Sequence, residues 1–205
     1  VGTTRTELSN QLGYEAGAFD LDMTELGRRL ARYVGEDAVE EAISVFQAES
    51  PDASPSELYF LIASARGYVL DQTIMAEARV RGGSAPTWSY QLVWRSPAED
   101  GRRYSQHTLD LPFMFDNVAR APHLTGPETQ ETEALARAMS ETWISFARTG
   151  DPNNPAIPHW RPYDLTDRPV LLFDAAPRLA EDPHAAERRF MSRFETQQMG
   201  RTLHR

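Results

Sequence analysis

The segment 87–94 constrains the fold of this chain more than any other stretch. Its side chains fall on two faces, Trp88, Tyr90, Leu92 and Trp94 on one, and Ser89, Gln91 and Val93 on the other. A strand that is bulky on both faces belongs inside a sheet with helices on each side. The sequence shows only one further strand, over 169–173, and two strands cannot form such a sheet. The pattern therefore predicts an α/β fold with most of its sheet outside this sequence.

Most of the remaining chain is predicted to be helical. Apolar residues recur at helical spacing over 22–33, 37–48, 55–66, 70–81, 128–149 and 182–195. Ser54 before Pro55, with Glu57 three residues on, is a typical helix start. Gly67 is expected to separate two of these helices, and the segments 3–13 and 96–106 are predicted to be loops.

The composition excludes several partners and sites. The chain has a formal charge of −9, and all 21 basic residues are arginine, so nucleic acid and anionic membranes are poor partners. There is no cysteine and no apolar run of about 18 residues, so disulfides and a membrane-spanning helix are not expected. The compartment stays open, with the cytoplasm slightly favoured and secretion not excluded.

One histidine is placed where chemistry would be expected. His107 lies in the loop after the strand over 87–94, directly before the run Asp110-Leu-Pro-Phe-Met-Phe115. Loops after the strands of an α/β sheet commonly carry reactive residues. A histidine can take and return a proton near its usual pKa of about 6.5. From the residues alone, an ordinary surface histidine is the open alternative.

Several segments resemble the C-terminal half of the type B carboxylesterases, the cholinesterase-like branch of the α/β-hydrolases. They are 106–115, 146–153, 159–164, 169–174 and 182–189. The resemblance implies that residues 1–205 are the C-terminal part of a single α/β-hydrolase domain. They would hold the last strands of the central sheet and flanking helices, with a helical insertion at about 20–82. Val1 would then lie at the end of a strand that begins upstream.

The resemblance also implies two catalytic residues. His107 matches the family's base, with Thr108 in place of the usual glycine. Glu7 matches the acid, because residues 1–7 are similar to the loop that carries it, although Leu8 replaces a glycine. Glu15 is a rival for the acid. Asp110 is predicted to cap the helix after His107, and its alternative role is that of the triad acid.

The nucleophile is expected to come from elsewhere, because no Gly-x-Ser-x-Gly occurs and neither Ser84 nor Ser96 is well placed. The predicted function is hydrolysis of a small-molecule carboxylic ester through an acyl-enzyme. The missing N-terminal part of the same domain would supply the serine and the oxyanion hole, so the chain alone would be inactive. The alternative is a non-catalytic, cholinesterase-like binding or adhesion module.

The remaining site predictions concern the pocket and metals. Phe113 and Phe115 are tentative pocket-lining residues, with burial in the core as the alternative. No cofactor and no metal are expected, because the histidines at 123, 159, 184 and 204 lack the spacing typical of metal ligands.

Overall fold

The computed structural model describes residues 1–83 and 85–195. In these ranges the strands are β1 (Gly2–Thr4), β2 (Ser89–Leu92), β3 (Pro169–Phe173) and β4 (Arg178–Glu181). The α-helices are α1 (Ser9–Leu12), α2 (Met23–Val34), α3 (Val39–Glu49), α4 (Pro55–Ser64), α5 (Leu70–Gly82), α6 (Asp110–Met114), α7 (Pro122–Thr125), α8 (Gln130–Thr149) and α9 (Ala185–Met191). Within these ranges no helix is both long and apolar enough to cross a bilayer.

The strands form one sheet in the order β1-β2-β3-β4. The first three are parallel and β4 runs antiparallel to β3. Helices α2 to α5 connect β1 to β2, and α6 to α8 connect β2 to β3, as parallel neighbours require. The carboxyl ends of β1 and β2 therefore meet at one edge of the sheet. The two strands seen in the sequence are confirmed, whereas the short, polar β4 was not predicted.

Side chains from both faces of β2 are buried, as its sequence predicted. Leu92 packs with Leu171 and Phe173 of β3 in a core that also contains residues of α6 and α8. On the opposite face Ser89 and Gln91 are buried too, and Gln72 of α5 donates a hydrogen bond to the Ser89 hydroxyl. Each large apolar side chain buried in this way stabilises the fold by about 1.5–3 kcal/mol.

A second core lies among the helices that precede β2. Its fully buried members include Leu26 and Leu30 of α2, Phe46 of α3 and Phe60 of α4. Helix α9 completes this core through Phe190, so the last described helix packs against the helices that follow β1.

Local signals correctly predicted where several helices begin and end. The Ser54 hydroxyl accepts the Glu57 N–H at 3.1 Å, and α4 starts at Pro55. Gly150 ends α8 with a left-handed φ of 77°, a conformation that glycine adopts without strain. Helices α2, α3 and α8 begin within about two residues of their predicted starts, a normal uncertainty for helix ends.

Other local predictions were wrong. Gly67 does not end a helix, because α4 continues through a π-helical turn, Ala65–Val69, into α5. The predicted loop 3–13 contains α1, and α9 ends at Met191 instead of 195. Residues 135 to 146 include apolar side chains that would form a buried stripe along α8, but Ile144 and Phe146 are about half exposed, because the buried stripe follows 135, 138, 139 and 142 around the helix.

Candidate active site

The structure brings Glu7 and His107 into direct contact. The Glu7 Oε2 atom lies 2.6 Å from His107 Nδ1, although 100 residues separate the two in sequence. Glu7 follows β1 and His107 follows β2, and these parallel neighbours end at the same edge of the sheet. The Glu7 side chain is 9% exposed and the imidazole 43%. A buried carboxylate thus holds one nitrogen of an imidazole that is partly open to solvent.

The loop that carries Glu7, residues 5–8, is fixed by hydrogen bonds along its length. The other carboxylate oxygen of Glu7 accepts the N–H of Thr4 at 2.7 Å. The Thr6 N–H donates to the carbonyl of Ser105 at 3.1 Å, which joins this loop to the one that carries His107. The Glu7 carboxylate is therefore already held in position, and its second oxygen, Oε2, contacts His107.

A buried ion pair anchors the same loop from the other side. The Arg5 guanidinium binds Glu187 of α9 in bidentate fashion, with N–O distances of 2.7 and 2.5 Å, and both residues are buried. Breaking such a pair leaves an uncompensated buried charge, which typically costs about 3–5 kcal/mol. The position of the loop of residues 5–8 thus depends on a helix that begins at residue 185.

The carboxylate also determines the tautomer of His107. An ionised carboxylate only accepts hydrogen bonds, so Nδ1 must carry the hydrogen in the contact with Glu7. This leaves Nε2 with a lone pair that can accept a proton. The pair has the geometry of a general base with its orienting acid.

The alternative acids are engaged elsewhere. Glu15 accepts hydrogen bonds from Arg29, Arg32 and the Tyr59 hydroxyl. Asp110 accepts the Tyr90 hydroxyl at 3.0 Å and does not cap α6, so the predicted capping role was wrong. Burial, followed by the charge of Asp110, raises the pKa of Tyr90 well above its usual value, which keeps this phenol protonated as the donor.

Thr108, next to His107, has a backbone conformation that disfavours its side chain. Its φ is +67°, in the left-handed region that β-branched residues rarely occupy. A glycine stands here in the family pattern, and glycine adopts this conformation freely. The conformation costs Thr108 about 1–2 kcal/mol.

Replacing Thr108 with glycine should therefore stabilise the protein. We expect the free energy of unfolding to rise by about 1 kcal/mol, because relief of strain exceeds the added entropy of the unfolded chain. Urea denaturation of the purified chain measures this change. Thr73→Gly, inside α5, is the matched control and should lower stability. A destabilised Thr108→Gly protein would contradict the strain.

The two phenylalanines proposed for a pocket lie in different surroundings. Phe113 is fully buried and packs edge-on against Trp94, with ring centroids 5.2 Å apart. It has no surface to offer a substrate, so its pocket assignment is corrected to the core. Phe115 is 73% exposed at the end of α6, and its pocket role stays a prediction.

Alanine substitutions should separate the two residues. Phe113→Ala removes a fully buried ring and should lower the free energy of unfolding by about 3–5 kcal/mol. Phe115→Ala should change it by less than about 0.5 kcal/mol, as is usual for exposed positions. Urea denaturation of both variants gives the comparison, and equal losses would show that Phe115 is also part of the core.

One cluster outside the Glu7–His107 pair has the composition of a metal site. Ligand atoms of Glu49, His184 and Glu187 lie within 4.8 Å of one another. Glu49 ends α3, whereas His184 and Glu187 belong to the start of α9, so the spacing of residues in the sequence does not reveal the cluster. Burial, followed by the charge of Arg5, lowers the pKa of His184 to about 4. Arg5 already binds both carboxylate oxygens of Glu187, which accounts for that carboxylate without a metal.

Among the described residues, the serine candidate Ser96 is held by structural contacts. The Ser96 hydroxyl donates to the Leu124 carbonyl and accepts the Ala98 N–H, which is a structural role. Ser84 and His204 lie outside the residues that the structure describes.

An apolar groove of about 310 Å³ runs beside the start of β1. Its lining includes Gly2 and the rings of Trp88, Trp143, Phe146 and Trp160. Strand β1 pairs with β2 on one side, and within the described residues no strand pairs with its other side. The groove and this unpaired edge are adjacent.

Comparison with known proteins assigns the family. The profile of the carboxylesterase family matches residues 11–191. The para-nitrobenzyl esterase of Bacillus subtilis is 30% identical over 115 residues, which are 56% of this chain and 23% of that protein. The phenmedipham hydrolase of Pseudarthrobacter oxydans is 26% identical over 89% of this chain and 37% of its own length.

The fold agrees with the family. A solved carboxylesterase of Geobacillus stearothermophilus superposes with a TM-score of 0.76 and 28% identity, over 93% of this chain and 39% of that one. The chain thus spans well under half the length of these relatives, and its four-stranded sheet corresponds to part of a carboxylesterase α/β-hydrolase fold. The profile match, the similar sequences and the shared fold agree, and the chain belongs to the carboxylesterase family.

Proposed function

We propose that this chain supplies the acid and the base of a serine carboxylesterase that cleaves small-molecule carboxylic esters. The contact between Glu7 Oε2 and His107 Nδ1 carries the proposal. An adhesion or binding module gains nothing from an ordered carboxylate–imidazole pair at the end of two strands.

In the proposed reaction, Nε2 of His107 takes the proton of a serine hydroxyl as its oxygen attacks the ester carbonyl. The imidazolium then gives this proton to the leaving alcohol oxygen as the carbon–oxygen bond breaks, and an acyl-enzyme remains. His107 next takes a proton from water as the water oxygen attacks the acyl group, and it returns this proton to the serine oxygen as the acyl–serine bond breaks and the carboxylic acid leaves. Glu7 stays ionised throughout, keeps the hydrogen on Nδ1 and stabilises the imidazolium.

The serine and the oxyanion donors would come from an upstream part of the same domain, as the partial coverage of the relatives suggests. The unpaired edge of β1 and the adjacent aromatic groove offer a surface on which such a part could pack. Packing there would place new strands beside β1, close to Glu7. The single domain, with its helical insertion at about 20–82, belongs to the same proposal.

The proposal is tested with the 205-residue chain and a full-length protein that contains it. The full-length protein should hydrolyse 4-nitrophenyl acetate and react covalently with a fluorophosphonate probe. The chain alone should do neither, because the proposed nucleophile and oxyanion donors lie outside it. Turnover by the isolated chain would contradict the external nucleophile. A folded full-length protein without turnover or labelling would instead support the binding module.

A further inference from the structure

The π-helical turn between α4 and α5 carries a tyrosine to the catalytic pair. The ring of Tyr68 lies against the imidazole of His107, with centroids 6.1 Å apart and planes inclined by 41°. The hydrogen bond typical of a π-helix is present, because the Leu70 N–H donates to the Ala65 carbonyl five residues earlier. Such turns are rare and frequently lie at functional sites.

The same stretch of helix also contacts the loop that carries Glu7. The Ser64 hydroxyl, at the end of α4, accepts the N–H of Leu8 at 2.9 Å. A methyl group added at Gly67 would lie 3.5 Å from the Leu8 side chain, an ordinary contact distance. The helix next to the turn is thus hydrogen-bonded to the loop of residues 5–8, while the Tyr68 ring lies against His107.

We propose that Tyr68 forms the wall of the pocket that receives the alcohol part of the ester. This inference rests on the proposed function. His107 must deliver its proton to the oxygen of the leaving alcohol, so that alcohol has to lie beside the imidazole. The imidazole is 43% exposed, and Tyr68, itself half-buried, lies beside it. A group that binds on this side of the imidazole therefore contacts the Tyr68 ring.

The chemistry of this wall favours aromatic alcohols. A phenol ring can pack against Tyr68 in an edge or offset arrangement, which adds a preference beyond the area that it buries. A saturated ring of similar size lacks this preference. Among the described residues no side chain or backbone group hydrogen-bonds to the Tyr68 hydroxyl, so the inference depends on the ring and not on the hydroxyl.

The test compares phenyl acetate with cyclohexyl acetate, which share an acyl group and differ in the alcohol. The ratio of the two kcat/KM values in the full-length protein cancels any general loss of activity. Tyr68→Leu and Tyr68→Met should each lower this ratio by about threefold to tenfold. Tyr68→Phe, which keeps the ring, should stay within about twofold of the parent. Two non-aromatic variants are used in case one fails to fold.

Tyr14→Leu is the matched control, since Tyr14 is 78% exposed, and its ratio should not change. An unchanged ratio in a folded Tyr68→Leu or Tyr68→Met protein, even with both esters cleaved more slowly, would overturn the inference and leave Tyr68 with a structural role. Full activity of a His107→Ala protein would instead overturn the proposed function, so the two failures are distinguishable.

Discussion

Replacing His107 with alanine should reduce kcat for ester hydrolysis by the full-length protein by about 10⁴-fold or more. The serine hydroxyl then has no group to take its proton, and removal of the base from a serine hydrolase triad has effects of about this size or larger. The structure supports the choice of residue, because His107 is held by a buried carboxylate and still exposes much of its ring. Covalent labelling by a fluorophosphonate should be lost together with turnover.

His159→Ala is the control for this substitution. His159 is exposed, and neither ring nitrogen forms an ion pair within the described residues, so its loss should leave both readouts unchanged. Circular dichroism of both variants confirms that they fold. A His107→Ala protein that keeps its labelling and its turnover would disprove the assignment of the base.

Replacing Glu7 with glutamine should lower kcat by about 10³- to 10⁴-fold at neutral pH. The amide keeps the shape of the side chain, and its oxygen can still accept the Thr4 N–H. Its nitrogen would then donate to Nδ1 of His107, so the hydrogen of the neutral imidazole would move to Nε2. The base would be held in the wrong tautomer, and the imidazolium would lose its carboxylate.

Two comparisons make this test specific. Glu15→Gln changes the rival acid, which is bound to arginines, and it should leave kcat within about twofold of the parent. The double variant of Glu7 and His107 should be no slower than His107→Ala alone, because the two residues act as one unit. Additive losses would show that Glu7 acts independently of His107.

The sequence was sufficient where local chemistry and strand order determine the outcome. Glu7 and His107 were singled out by the resemblance of their segments to the type B carboxylesterases, and the structure shows why they meet: β1 and β2 are parallel neighbours, which brings their following loops together. The start of α4 was equally local, since Ser54 needs only its own next turn to act as a cap.

The sequence failed where a distant partner decides the conformation. Asp110 could have capped α6, but the Tyr90 hydroxyl from β2 engages its carboxylate instead. A glycine such as Gly67 often ends a helix. Here the helix continues through a π-helical turn, and the adjoining Ser64 is hydrogen-bonded to the loop of residues 5–8. The approach of Tyr68 to His107 depends on this turn, which no periodicity in the sequence reveals.

The bidentate pair between Arg5 and Glu187 has a consequence for the order of events during synthesis. A ribosome releases residue 5 long before residue 187, and domains tend to form from their N-terminal side as they emerge. The segment holding Glu7 gains its buried anchor only when α9 arrives. A nascent polypeptide stalled before that point already contains both Glu7 and His107 but still lacks this bridge, so the pair is fully braced only after α9 has been translated.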